Sequence, residues 1–123
     1  MTRWFFHAKI HRATVTEAEP DYIGSCTIDA DLLEKTGLEP GEKVLVVAMN
    51  GARLETYIIR GEPGSGVICM NGPTARLIPK GEIVIIMGFA LSDGPIEAKS
   101  ILVDDDNKFV KYLTEAEGKT VED

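Results

Sequence analysis

Cys26 and Cys69 are the only cysteines in the 123-residue chain. They are too few and too far apart for a disulfide framework, and no third or fourth ligand is spaced to complete a zinc or other metal site. Both thiols are therefore expected to be structural and reduced, in a cytoplasmic setting. Long apolar runs are also absent. The longest, Ile83 to Leu91, is about half of the roughly 18 residues that span a bilayer. The apolar stretch at Trp4-Phe5-Phe6 is too short for a signal peptide, and Lys9 and His11 follow at once. Positive charge is scarce: 13 Lys and Arg against 20 Asp and Glu leave a net charge of -7. With no basic cluster, a nucleic-acid footprint is excluded. A small acidic substrate is not, because a few locally placed cations can hold one whatever the overall charge.

The residues present suit one globular domain. The chain is 44% hydrophobic and 27% charged, and it is long enough to close a core without staples. Alternation of apolar and polar residues predicts a strand from Arg3 to Val15, with Lys9 and His11 on one face. Pro20 to Ser25 carries turn chemistry. A short strand at Cys26 to Ile28 is followed by Asp29, a good N-cap for a helix over 30–35 that Gly37 stops. The apolar run Val44 to Met49 predicts a strand covered on both faces, and Asn50-Gly51 predicts a hairpin to Arg53–Arg60. Gly64-Ser65-Gly66 reads as a flexible turn before a strand over 67–70. Pro73 opens a helical turn through Arg76, and Glu82 to Leu91 is the strongest strand. Five or six short strands with brief helices imply a mainly β protein, a small closed barrel over residues 1–93. Residues 94–123 are expected to be a C-terminal extension in which Ile101-Leu102-Val103 forms at most an edge strand. From residue 104 onward seven acidic and three basic side chains predict a solvated, partly mobile tail.

The chemistry centres on Tyr22-Ile23-Gly24-Ser25-Cys26. By itself Gly24-Ser25 is an ordinary turn. Glycine, however, reaches backbone angles closed to other residues, which would hold the Gly24 carbonyl against the Ser25 hydroxyl. Attack by that hydroxyl would move the acyl group from nitrogen to oxygen. Elimination would then cut the chain, and hydrolysis would leave a pyruvoyl group at the new N-terminus.

Lys9 to Ala18, Asp21 to Asp29, Asn50-Gly51, Thr56-Tyr57 and Asn71-Gly72 together resemble the bacterial aspartate 1-decarboxylases, in matching order across residues 3 to 91. The resemblance implies a double-psi β-barrel, a homotetramer with active sites between subunits, and conversion of L-aspartate to β-alanine and carbon dioxide for pantothenate biosynthesis. It makes Gly24 and Ser25 the self-cleavage site, Ser25 the source of the pyruvoyl cofactor, and Thr56 the aid to cleavage. It makes Tyr57 the proton donor. Lys9, Arg53 and Thr56 become substrate-binding residues together with the backbone of Gly72, Pro73 and Thr74, and His11, Tyr22 and Asn71 become supporting ones. Whether cleavage is spontaneous or takes a maturation factor stays open.

These residue types suit the chemistry. The aspartate amine would condense with the pyruvoyl ketone as a Schiff base, whose conjugated carbonyl accepts the electrons released by decarboxylation. The planar fork of Arg53 fits a carboxylate, and a phenol such as Tyr57 can return a proton to carbon. Amides at the start of the 71–75 turn would add an anion site. Alternation places Arg53, Glu55 and Tyr57 on one face and Thr56 on the other, so a bulge or the use of two faces by neighbouring subunits is expected. Two departures from the family pattern stand out: Ile23 replaces a more polar residue, and Pro73-Thr74 replaces a small pair, removing one N–H from the loop. The other readings are a non-catalytic barrel binding an anion or a protein, and a serine hydrolase pairing Ser25 with His11. The hydrolase reading lacks an orienting acid and an oxyanion motif.

Overall fold

The computed structural model describes residues 1–114; the end of the acidic tail, 115–123, lies outside the described residues. The alternation near the N-terminus becomes strand β1 (Arg3–Thr14), in which Ala8, Ile10 and Ala13 are buried while Lys9 and His11 are half-buried. It breaks at Arg12, whose φ of 67° accompanies a register shift between Ile10 and Ala13. Strand β2 (Glu17–Glu19) precedes the Pro20 turn, and β3 (Ser25–Asp29) runs into helix α1 (Ala30–Thr36). The Asp29 carboxylate caps α1 by accepting from Asp31 N at 2.8 Å, and Gly37 closes the helix in the left-handed conformation at φ 78°. Strands β4 (Lys43–Ala48) and β5 (Arg53–Gly61) form the Asn50-Gly51 hairpin. After them come β6 (Ile68–Asn71), helix α2 (Thr74–Leu77), β7 (Ile83–Ser92), β8 (Lys99–Val103) and β9 (Phe109–Leu113).

Among the described residues the fold is mainly β, with nine strands in the order β2-β6-β3-β5-β4-β7-β1-β8-β9. β2 and β9 end that order, so among the described residues hydrogen bonds do not close the sheet. One face carries the core: Ile10, Ile28, Val44, Val46, Ile58, Met70, Val84 and Ile86 are buried together with Leu32 of α1. The other face is less covered than the apolar run at 44–49 predicts. Val44, Val46 and Ala48 are buried, but Leu45 and Val47 are only half-buried and Met49 is exposed.

Beyond Asp93 the described residues return to the sheet in β8 and β9. β8 pairs in parallel with β1, and β9 pairs antiparallel with β8. Ile101, Leu102 and Val103 are thus buried between two strands rather than at an edge. The buried Asn107, at φ 60°, fastens this segment. It accepts from Thr14 N (2.7 Å) and donates to Thr14 O (2.8 Å) and Gly66 O (2.7 Å). Gly64-Ser65-Gly66, expected to be a flexible turn, is instead tied down, because Gly64 N and Gly66 N donate to the buried Asp29 carboxylate at 3.0 and 2.8 Å. Among the described residues no helix is long and apolar enough to cross a membrane.

Candidate active site

Ser25 opens β3, which is held on both sides: antiparallel to β6, with Ser25 opposite Asn71 and Thr27 opposite Cys69, and parallel to β5, with Cys26 opposite Ile58. Side chains alternate across a strand. Cys26, Ile28, Ile58, Ile68 and Met70 therefore point into the core, and Ser25, Thr27, Cys69 and Asn71 share the opposite face. Tyr57 precedes Ile58 and lies level with Ser25 on that same face. The self-cleavage candidates and the proton-donor candidate are thus brought to neighbouring strands.

The hydroxyl of Ser25 is fully buried. Asn71 Nδ2 donates to Ser25 Oγ at 2.8 Å and to Thr27 Oγ1 at 3.0 Å, Asn71 Oδ1 accepts from Cys69 Sγ at 3.1 Å, and Ser25 Oγ donates to Ile23 O over a longer 3.4 Å. Both hydrogens and the oxygen of one buried carboxamide are therefore used. The turn before Ser25 is open by contrast, with Tyr22 61% and Ile23 84% exposed.

The special glycine geometry expected at Gly24 occurs instead at its neighbour across the strands. Gly24 is not among the glycines of positive φ, and an added Cβ would come no closer than 3.9 Å to Asn71 O. Gly72 has φ +76°, and a Cβ there would lie 2.7 Å from Gly24 Cα, 2.8 Å from Gly24 N and 2.9 Å from Tyr22 O. Gly72 is needed so that its backbone can press against the turn that carries the candidate scissile bond. Its N–H donates to Glu19 O at 2.8 Å, which links that contact to β2. The anion site expected at 71–75 is largely spent inside the chain: besides Gly72 N, Ala75 N donates to Gly72 O and Arg76 N to Pro73 O. Thr74 Oγ1 ties the turn back to β6 by donating to Asn71 O at 2.8 Å.

The other candidates are more dispersed. Arg53, Glu55 and Tyr57 lie on the exposed face of β5 and Thr56 on the inner one, opposite Val44. The register from Arg53 to Tyr57 is unbroken, so no bulge brings Thr56 and Tyr57 to one face. Lys9, on β1, is separated from β3 by β5, β4 and β7; its ammonium sits 5.2 Å from the centre of the Phe6 ring. His11 lies opposite Leu102 on the β8 side of β1.

Sequence reasoning assigned Cys69 only a structural role and placed neither it nor Thr27 in the site. Their signal was present in the strand period, since 25 and 27 on one strand and 69 and 71 on the next must share a face. Both thiols of the region are held neutral. Burial, reinforced by Cys69, pushes Cys26 from its ordinary 9.0 up to about 12. Burial and then the charges of Glu17 and Glu19 push Cys69 up to about 11.

Residues 1–110 match the family model described as Aspartate decarboxylase. The chain belongs to the aspartate decarboxylase family. Curated members align over nearly the whole length. An Aspartate 1-decarboxylase of Geobacillus sp. (strain WCH70) is 48% identical over 126 residues, covering 98% of this chain and 99% of its own. One from Neisseria meningitidis serogroup C is 54% identical over 113 residues, covering 88% and 89%. One from Listeria monocytogenes serotype 4a is 47% identical over 125 residues, covering 98% of each. The similarity to aspartate decarboxylases thus runs past Asp93, the limit of the motifs legible in the sequence, and takes in β8.

Proposed function

We propose that the chain is a self-processing aspartate 1-decarboxylase, which cuts itself between Gly24 and Ser25 and converts L-aspartate to β-alanine and carbon dioxide for pantothenate biosynthesis. Family membership supports the activity. The observation that carries the self-processing is the buried Ser25 hydroxyl, gripped by Asn71 immediately after a glycine in an exposed turn.

In this reading Ser25 Oγ attacks the Gly24 carbonyl carbon while Asn71 Nδ2 steadies the oxygen as it gives up its proton. Thr56, one residue before the level of Ser25 on β5, assists on the carbonyl side from the inner face. The Gly24–Ser25 amide becomes an ester. Loss of the Ser25 α-proton then breaks the Cβ–O bond and frees Gly24 as a carboxylate. Water replaces the nitrogen of residue 25, which leaves as ammonia, and a pyruvoyl group remains. The residues fit that group: its position keeps the Asn71 N–H donor, and β3 stays anchored by β5 and β6 once the turn is cut. The segment before the cut is held independently, because β1 pairs along β7 and β8.

The pyruvoyl ketone supplies the electron sink for decarboxylation. The rest falls to side chains. Arg53 and Lys9 hold the carboxylates of aspartate, the 72–74 loop bounds the substrate with Tyr22 and His11 in support, and Tyr57 returns a proton to the substrate carbon. All of this machinery lies within residues 1–93. Because Lys9 is three strands removed from Ser25, we assign it to the site of a neighbouring subunit in a homotetramer whose sheets curl as double-psi barrels. The apolar outer face formed by Trp4, Leu45 and Phe89 supports such packing, Trp4 being 67% exposed. L-aspartate is the small-molecule partner, and a maturation factor is a candidate second one.

Intact-mass spectrometry of the purified protein tests the reading. Two chains are expected, residues 1–24 and 25–123, the second starting with pyruvoyl, together with release of β-alanine from aspartate. Ser25→Ala should stay whole and inactive. One unbroken wild-type chain after prolonged warm incubation would overturn it.

A further inference from the structure

We propose that Cys69 is a positioning residue for self-cleavage: its S–H···O bond fixes which way round the Asn71 carboxamide faces Ser25. The inference rests on Ser25 being the nucleophile of the processing reaction. A carboxamide has nearly the same shape after a half-turn, and the two orientations differ only in whether NH2 or oxygen meets a given neighbour. On one side of Asn71 lie Ser25 Oγ and Thr27 Oγ1, at 2.8 and 3.0 Å. Hydroxyls both donate and accept, so these two partners tolerate either orientation. On the other side lies Cys69 Sγ at 3.1 Å. A thiol is weak both as donor and as acceptor, but here it donates to the amide oxygen, and that bond favours the orientation that turns both N–H bonds toward the hydroxyls.

The selection has chemical consequences. With NH2 toward Ser25, negative charge that develops on Oγ as it attacks meets an N–H donor. With the amide reversed, the same charge would face a lone pair, and the resting hydroxyl would spend its proton on Asn71. Cys69 and Asn71 are both buried, so water does not compete for the amide oxygen. The thiol also remains protonated across the neutral range, since burial and the charges of Glu17 and Glu19 raise its pKa to about 11.

The test follows the first-order rate of Gly24–Ser25 cleavage by intact mass in the full chain, for wild type, Cys69→Ala, Cys69→Val and Cys69→Ser, with circular dichroism to verify folding. Cys69→Ala and Cys69→Val, which lack the donor, should process about two- to fivefold more slowly, the worth of one lost weak hydrogen bond. Cys69→Ser keeps a donor and should recover most of the rate. A packing role alone would not separate Val from Ser in this direction. Wild-type rates in both donor-less variants, or a Ser variant as slow as Ala, would overturn the proposal while leaving wild-type cleavage intact. A wild type that does not cleave would instead refute the self-processing reading beneath it. Should the Ala variant not fold, the Val variant, which fills the site, makes the same comparison with Ser.

Discussion

Replacing Gly72 by alanine perturbs the candidate cleavage turn with one methyl group. Two costs add. At φ +76° any Cβ is strained, by roughly 1 kcal/mol. The methyl would also meet Gly24 Cα, Gly24 N and Tyr22 O at 2.7 to 2.9 Å, all backbone atoms that cannot rotate away, and such overpacking costs about 1–3 kcal/mol. The total, about 2–4 kcal/mol, should lower Tm by roughly 10 °C for a chain of this size. Gly51 isolates the first cost: its φ is +93° with nothing within 4 Å of an added Cβ, so Gly51→Ala should lose only about 1 kcal/mol. The two also separate in chemistry. Relief of the clash must push Gly24 away, and displacement of a reacting carbonyl by a fraction of an ångström to 1 Å costs up to about a hundredfold in rate. Thermal melts and intact-mass time courses on both variants should show Gly51→Ala processing normally and Gly72→Ala largely uncut. Equal melting losses, or prompt cleavage of Gly72→Ala, would refute the role given to this contact.

Tyr57→Phe should process at the wild-type rate yet lose at least about a hundredfold in decarboxylation, and failure to cleave would refute the division of labour with Ser25. The buried thiols make stability fall at high pH. Folded-state values of about 12 for Cys26 and about 11 for Cys69 exceed the ordinary 9.0. Their contribution is therefore intact below about pH 9 and is lost as pH rises toward those values, at up to about 1.4 kcal/mol per pH unit for each thiol. Urea titrations across this range should show a steeper decline than in a Cys26→Ala, Cys69→Ala double variant; equal slopes would refute the assignment. Asn107→Ala should cost about 2–4 kcal/mol, because it removes the side-chain partner of Thr14 N, Thr14 O and Gly66 O at once. A melting curve like that of wild type would count against β9 being fastened through this residue.

The strands were legible because their apolar spacing is local. β1, β3 with its Asp29-capped helix, the Asn50-Gly51 hairpin and β7 all lie within a residue or two of where alternation and turn chemistry put them. Motif order likewise pointed to Ser25, Tyr57, Asn71 and the family. The strand period alone also separated Thr56 from Tyr57, and the unbroken β4–β5 register keeps them on opposite faces.

Pairings between distant segments were another matter, since nothing local encodes which strand lies beside which. Only the tertiary structure set Asn71 against Ser25, put the close-approach glycine at Gly72 rather than Gly24, and drew residues 99–113 into the sheet through Asn107. Each of these depends on two backbones meeting, and that contact is decided by the global packing of one buried face rather than by the residues adjacent in the chain.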